Sequence, residues 1–388
     1  MQQSSDETLT GKNPKVRYIF QQNSDMSDSP TVTPQPKQRL EWLDALRGFT
    51  MILVVAFHVS QMGFVQPVKT SSSLQFLLLF RMPLFFFVSG FLAYKAGQLW
   101  DGATLRRMVG KKMRVQLVPT VVFFLFTTAV VGKDFWNDVV AGLHLSHKNG
   151  YWFTIALLWM FLIYYPFCYL ESKLRVRPWV PIVVLLLLSF AAYETCYLPR
   201  WFSWASGYRG VRNAFLDDTT LVLTMQHFPF FLYGNIVRRY WNQSQRLMDS
   251  PWLYPVMVVV VIFSTLDVVK WHTMKMEYTI IPTTLSKFIL LTMVFMYFRH
   301  YQQYVTRFTI VGNVLQYIGR RTLDIYLIHY LFLPNLPTVG TFFKHYQRNF
   351  AIDTTLSVVV ALVVIGFCCI TSNVLRVSPF FRKWLFGR

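Results

Sequence analysis

The sequence predicts an all-α membrane protein of about ten transmembrane helices with both termini in the cytoplasm. Three observations predict it. Of 388 residues, 54% are hydrophobic and only 14% charged, too little polar surface to cover a water-soluble domain. Continuous apolar runs of the about 17–25 residues that cross a bilayer as a helix recur along the chain, whereas a closed barrel needs strands of about 10 residues with alternating polarity. The basic residues also sort by loop. Threading the runs in order gives one side 25 of the 38 lysines and arginines and the other side ten, with Arg47, Arg81 and Lys287 inside runs. The richer side is cytoplasmic by the positive-inside rule. The formal charge of +20 is thereby explained without a nucleic-acid partner.

The runs are 42–65, 74–95, 115–132, 151–170, 179–197, 219–237, 252–269, 279–298, 322–337 and 354–375, separated by short polar or Pro/Gly-containing loops. The first carries Arg47 and His58, and the second Arg81 and Pro83. A basic segment with Arg106, Arg107, Lys111, Lys112 and Arg114 precedes the third. The fourth opens on Tyr151, Trp152 and Phe153, and the fifth to eighth rest on length and apolarity alone. The ninth holds Tyr326 and His329. Residues 1–38 are rich in Ser, Gln, Pro and Asp and read as a disordered cytoplasmic tail without a cleavable signal, which leaves 39–388 as the membrane domain. Cys168, Cys196, Cys368 and Cys369 have no metal-site spacing, so no metal is expected.

Charged and titratable side chains inside apolar helices are costly and usually functional. Eleven positions from Arg47 to His58 turn a helix through about 1100°, only about 20° past three full turns, so both side chains share a face about 16.5 Å apart along the axis. A ligand touching both is long, thin and anionic at one end. Coenzyme A answers that description: its phosphates suit a guanidinium fork, and its pantetheine arm carries a thioester inward. A neutral imidazole at that depth can accept a proton from an attacking hydroxyl. The alternative account is structural, with Arg47 snorkelling or pairing with Asp44 and His58 bonded to a neighbouring helix.

LDALRG followed by AFH, then FRMPLFFFVSGFLAY at 80–94, resembles the opening of the acyltransferase type 3 family of integral membrane proteins. KKMRVQLVP at 111–119 is similar to the family's basic segment, YWFTIALLWMFLIYYP at 151–166 to its fourth helix, and RTLDIYLIHYLF at 321–332 to its late Tyr-Leu-x-His helix. The resemblance runs from residue 40 to about 376. It implies transfer of an acyl group, most often acetyl, from cytoplasmic acyl-CoA to a hydroxyl of a carbohydrate or cell-envelope glycan, in a bacterial cytoplasmic membrane. It also implies essential roles for an arginine and a histidine, carried here onto Arg47 and His58. The segment reads Lys-Lys-Met-Arg where relatives have more arginine; within it the resemblance favours Lys111 and Arg114 as CoA contacts.

Arg81 lies about seven residues from the outer start of its run and His58 about seven from the outer end of its own, which puts them at one depth, where a guanidinium stabilises an oxyanion or holds the acceptor. His329, about two turns into the ninth run, falls below the depth of His58 and lines a donor channel or serves packing, with Tyr326 on its face. Trp152, Glu194, Trp201, Trp204 and Asp217 are acceptor-side candidates within an ordinary aromatic belt. The rival readings are a secondary transporter, which the absence of a repeat between halves disfavours, and a lipid- or glycan-binding subunit without catalysis. Acceptor, acyl chain and oligomeric state are not legible.

Overall fold

The computed structural model describes residues 40–67, 71–195, 214–270, 280–345 and 350–386. The tail 1–38, Cys196, Trp201, Trp204 and the side chain of Glu194 lie outside the described residues. Among the described residues every regular element is helical. In chain order they are α1 (Glu41–His58), α2 (Ser72–Ala93), α3 (Gly102–Lys112), α4 (Val118–Val131), α5 (Phe135–His144), α6 (Trp152–Glu171), α7 (Trp179–Thr195), α8 (Ala214–Asp218), α9 (Leu221–Arg239), α10 (Trp241–Met248), α11 (Leu253–Lys270), α12 (Ile280–His300), α13 (Ile310–Arg320), α14 (Thr322–Ile328), α15 (Pro337–His345), α16 (Phe350–Val377) and α17 (Pro379–Trp384).

Among the described residues, five helical stretches are long and apolar enough to cross a membrane: Glu41–Gly63, Phe76–Ala93, Gly102–Val131, Trp152–Glu171 and Phe350–Val377. They coincide with the first four predicted runs and the tenth. α9 and α12 have 19 and 21 residues, about 28 and 31 Å of helix. The basic segment read as a loop is helical: α3 joins α4 through a π-helical turn, Met113–Leu117, in one continuous stretch.

The ninth run departs from expectation. α14 ends at Ile328, continues as a 3₁₀ turn over His329–Leu331, and the chain is then non-helical until Pro337. The apolar stretch Thr322–Phe332 spans about 16 Å, half a bilayer. Pro334 accounts for the stop, since it donates no backbone hydrogen bond and biases its predecessor away from helix, and Pro337 opens α15.

α1 is apolar around most of its circumference and sits at the centre, in contact with α2, α13, α14 and α16. Two glycine crossings set the closest approaches. A Cβ on Gly48 of α1 would lie 1.9 Å from the Leu315 carbonyl oxygen of α13, and one on Gly319 would lie 1.8 Å from that of Asp44. Gly90 of α2 and Gly234 of α9 meet reciprocally, 1.8 Å from the oxygen of Phe231 and 1.9 Å from that of Phe87. Small residues at such crossings bring backbones together where no water remains to be expelled. α4 and α16 turn Val121, Val122, Phe126, Val363, Phe367 and Ile370 outward, an apolar exterior that suits lipid rather than water. α14 is held from behind: its Asp324 accepts from Ser372 Oγ at 2.6 Å and from Arg376 Nη2 at 2.6 Å on α16.

Candidate active site

Arg47, Met51, Val54 and His58 follow one another at helical spacing along α1, one stripe of its surface. α14 runs beside this stripe in the same direction and is tied to it by two rungs. At one end Arg47 Nη2 donates to Thr322 Oγ1 at 2.8 Å, while Arg47 Nη1 is 3.7 Å from Asp44 Oδ1. At the other, Tyr330 Oη is 3.2 Å from His58 Nε2. The pairing of Arg47 with Asp44 foreseen from sequence is present, and the shorter guanidinium contact goes to α14.

The His58 end is aromatic and closely bonded. Its ring centroid lies 5.2 Å from that of His329 and 5.2 Å from that of Tyr330, and His329 and Tyr330 are 4.1 Å apart. His329 was expected below His58, and the structure places the two side by side. The reason is where α14 starts: Gly319, just before it, abuts Gly48 of α1, so the ten residues from Gly319 to His329 match the ten from Gly48 to His58. His329 Nδ1 faces the carbonyl oxygens of Tyr326 at 2.8 Å and Ile325 at 3.2 Å. Carbonyls only accept, so Nδ1 carries the proton, and in the neutral ring Nε2 presents a lone pair. That Nε2, His58 Nδ1 and Arg81 Nε are buried without a hydrogen-bond partner.

Arg81 reaches the same end, as its depth predicted. Its guanidinium lies 3.5 Å over the ring of Phe57, the neighbour of His58, and only 6% of the residue is exposed. Its charge acts on both histidines and on Tyr326 and Tyr330. Pro83 lies two positions further along α2, which remains helical through it.

The turn between α5 and α6 supplies a group that the sequence did not signal. Lys148 and Asn149 have φ of 45° and 49°, and Gly150 has φ of 100°, left-handed conformations that turn the chain back on itself. The Gly150 carbonyl oxygen accepts from Tyr326 Oη at 2.5 Å and from Tyr330 Oη at 3.4 Å. A Cβ at position 150 would lie 2.2 Å from Tyr330 Oη, so glycine is required there on two counts. The Phe153 N–H donates to Tyr326 Oη at 3.1 Å and Tyr151 Oη donates to the Leu327 carbonyl at 3.1 Å, fixing α14 against the start of α6. Directly after His58 the chain makes a π-helical turn, Val59–Gly63, closed by Phe64 N–H to Val59 O at 2.8 Å; such turns recur at functional sites.

Lys112 is the basic-segment residue turned inward at the Arg47 end. Its Nζ sits 3.4 Å over the ring of Phe161, and its charge interacts with those of Arg47, Lys95 and Lys111. Lys111 and Arg114, favoured from the resemblance, have exposed side chains, as do Arg106 and Arg107. The helical form of the segment explains the difference, because adjacent residues on a helix point about 100° apart.

Between the two ends the stripe is filled. A crevice of about 10 Å³ is bounded by Met51, Val54, Met82, Phe85, Phe153 and Tyr326. It is water-sized, far narrower than a pantetheine arm. Methionine is the most adaptable of apolar side chains, so Met51 and Met82 are the parts of this wall most readily displaced. Among the described residues no group of three or more His, Cys, Asp or Glu side chains could hold a metal ion.

No curated protein and no solved structure matches the chain. The family model described as an acyltransferase domain, acyltransferase 3, matches residues 40–373, from the start of α1 into the last turns of α16. The stripe, both of its rungs, Arg81 and the Gly150 turn all fall inside the match, and the chain belongs to the acyltransferase 3 family.

Proposed function

We propose that this membrane acyltransferase moves an acyl group, acetyl by preference, from cytoplasmic acyl-CoA to a hydroxyl of a carbohydrate or cell-envelope glycan. In this reading the chain crosses a bacterial cytoplasmic membrane about ten times, with both termini inside. Arg47 and Lys112 receive the phosphates of CoA, assisted at the surface by Lys111 and Arg114. The pantetheine arm follows the Met51–Val54 stripe after Met51 and Met82 swing aside, and the thioester arrives at His58 and His329.

The chemistry then runs in two steps. An imidazole nitrogen, His58 first, takes the proton of the acceptor hydroxyl as its oxygen bonds to the thioester carbon, and the carbonyl electrons move onto oxygen. The Arg81 guanidinium is the cation nearest the developing oxyanion. Collapse of the intermediate breaks the carbon–sulfur bond, and the imidazolium returns its proton to the departing CoA thiolate. Tyr330 keeps the ring of His58 oriented, and His329 completes the wall around the reacting carbon.

One observation carries the reading: Arg47 and His58 share a stripe of α1 and each is tied to the same neighbouring helix. The test is release of free CoA from acetyl-CoA by purified protein in liposomes supplied with cell-envelope glycans. His58→Ala is expected to abolish release, and Arg47→Ala to raise the KM for acetyl-CoA. Full activity of Arg47→Ala at low donor concentration would refute the phosphate-binding role.

A further inference from the structure

Beside Arg81 lies a second group of polar side chains that acyl transfer as described leaves unused. His227 of α9 packs at a tilt against Trp152 and Phe86, with ring centroids 5.2 Å and 4.9 Å away. Its Nδ1 faces the Leu223 carbonyl oxygen at 2.8 Å and therefore carries the proton, so Nε2 is the nitrogen left for a ligand. Lys287 of α12 adjoins Phe288, whose ring centroid lies 4.5 Å from that of Phe230, three positions along α9 from His227, and Arg81 lies five positions before Phe86 on α2. Lys287 is half-buried within an apolar helix and makes no hydrogen bond or ion pair with any described residue. Arg81, nine-tenths buried, likewise has no acidic partner among the described residues.

Two cations held out of water without a counter-charge are unfavourable unless an anion arrives. The CoA phosphates do not answer this need, since Arg47 and Lys112 mark their place about 16 Å away along α1. The reaction's oxyanion does not either, because it exists only during turnover. Half-buried Trp152 adds the flat aromatic face on which the apolar side of a pyranose stacks.

We infer that Lys287, His227, Trp152 and Arg81 form an acceptor subsite for a sugar bearing a carboxylate or phosphate next to the hydroxyl that is acylated. This rests on the acyl-transfer reading for the word acceptor, but not for the anion. Lys287 makes the ion pair, His227 Nε2 accepts from a neighbouring sugar hydroxyl, and Trp152 supports the ring.

The test is a thermal-shift titration of the full chain in phosphatidylcholine nanodiscs with glucuronate, glucose 1-phosphate and glucose. At least one charged sugar should bind about tenfold more tightly than glucose, the order expected of one charge-assisted hydrogen bond. Lys287→Gln should abolish that preference and Lys287→Arg retain it. Equal binding of all three sugars, binding of none, or a preference unchanged in Lys287→Gln overturns the inference. So does a preference that vanishes when phosphatidylglycerol replaces part of the lipid, since a headgroup would then be the occupant. His58→Ala should lose acyl transfer and keep the sugar preference, so the failure of either reading shows separately.

Discussion

Tyr330 Oη stands 3.2 Å from Nε2 of His58, although 272 positions separate the two residues. The contact joins the first helix of the membrane domain to a half-length helix near its end, and it fixes one nitrogen of the imidazole. His58 Nδ1 is left without a partner, so Tyr330 is the single hydrogen-bonding constraint on this ring among the described residues. Tyr330→Phe removes that constraint with little change in volume. The expected outcome is a fall in kcat of about tenfold, the equivalent of one hydrogen bond, with the KM for acyl-CoA unchanged. Steady-state CoA release measures both, and an equal change in KM would assign Tyr330 to donor binding instead.

Gly150 offers a sharper perturbation of the same contact. Alanine there brings a Cβ to 2.2 Å from Tyr330 Oη in a backbone with φ of 100°. Gly150→Ala is expected to cost about 1–2 kcal/mol of backbone strain and to displace Tyr330, so that activity falls at least as far as in Tyr330→Phe. Gly97 is the control: φ is 70°, but nothing lies within 4 Å of an added Cβ. Gly97→Ala should show the strain in thermal unfolding and keep its activity.

The α1–α13 crossing makes a prediction about folding. Gly319→Ala places a methyl 1.8 Å from the Asp44 carbonyl oxygen, backbone that cannot rotate away. A loss of about 1–3 kcal/mol is expected, read as a lower midpoint in detergent. Gly110→Ala, with open space around it, should be neutral or stabilising by up to about 1 kcal/mol, because alanine favours helix.

The inward turn of Lys112 separates it from its neighbours. Lys112→Gln is expected to raise the KM for acyl-CoA several-fold and Lys111→Gln to change it by less than about twofold, since exposed charges are screened by salt. Raising ionic strength should shrink the Lys111 effect first. Equal effects of the two substitutions would mean that surface attraction, not a specific contact, governs donor capture.

Much of this arrangement was legible in the sequence, for reasons visible in particular residues. Arg47 and His58 could be placed on one face because helical periodicity is local, and Arg81 could be set at the depth of His58 by counting along two antiparallel runs. His329 failed the same counting because depth depends on where a helix begins relative to its neighbour. The start of α14 beside Arg47 is a tertiary fact, as is its early stop. Tyr330, Gly150 and His227 were missed because no periodic pattern marks them, and the contact of Gly150 with Tyr330 spans 180 positions of the chain. Lys112 was indistinguishable from Lys111 until the segment proved to be helical.

The half-length of α14 also bears on biogenesis. His58 lies on α1, yet the hydroxyl that contacts its ring arrives only when residue 330 has left the ribosome. A polypeptide interrupted before that point holds the imidazole without its clamp, and Arg47 without its tether at Thr322. Both contacts on the α1 stripe therefore form only when nearly all of the intramembrane chain is in place.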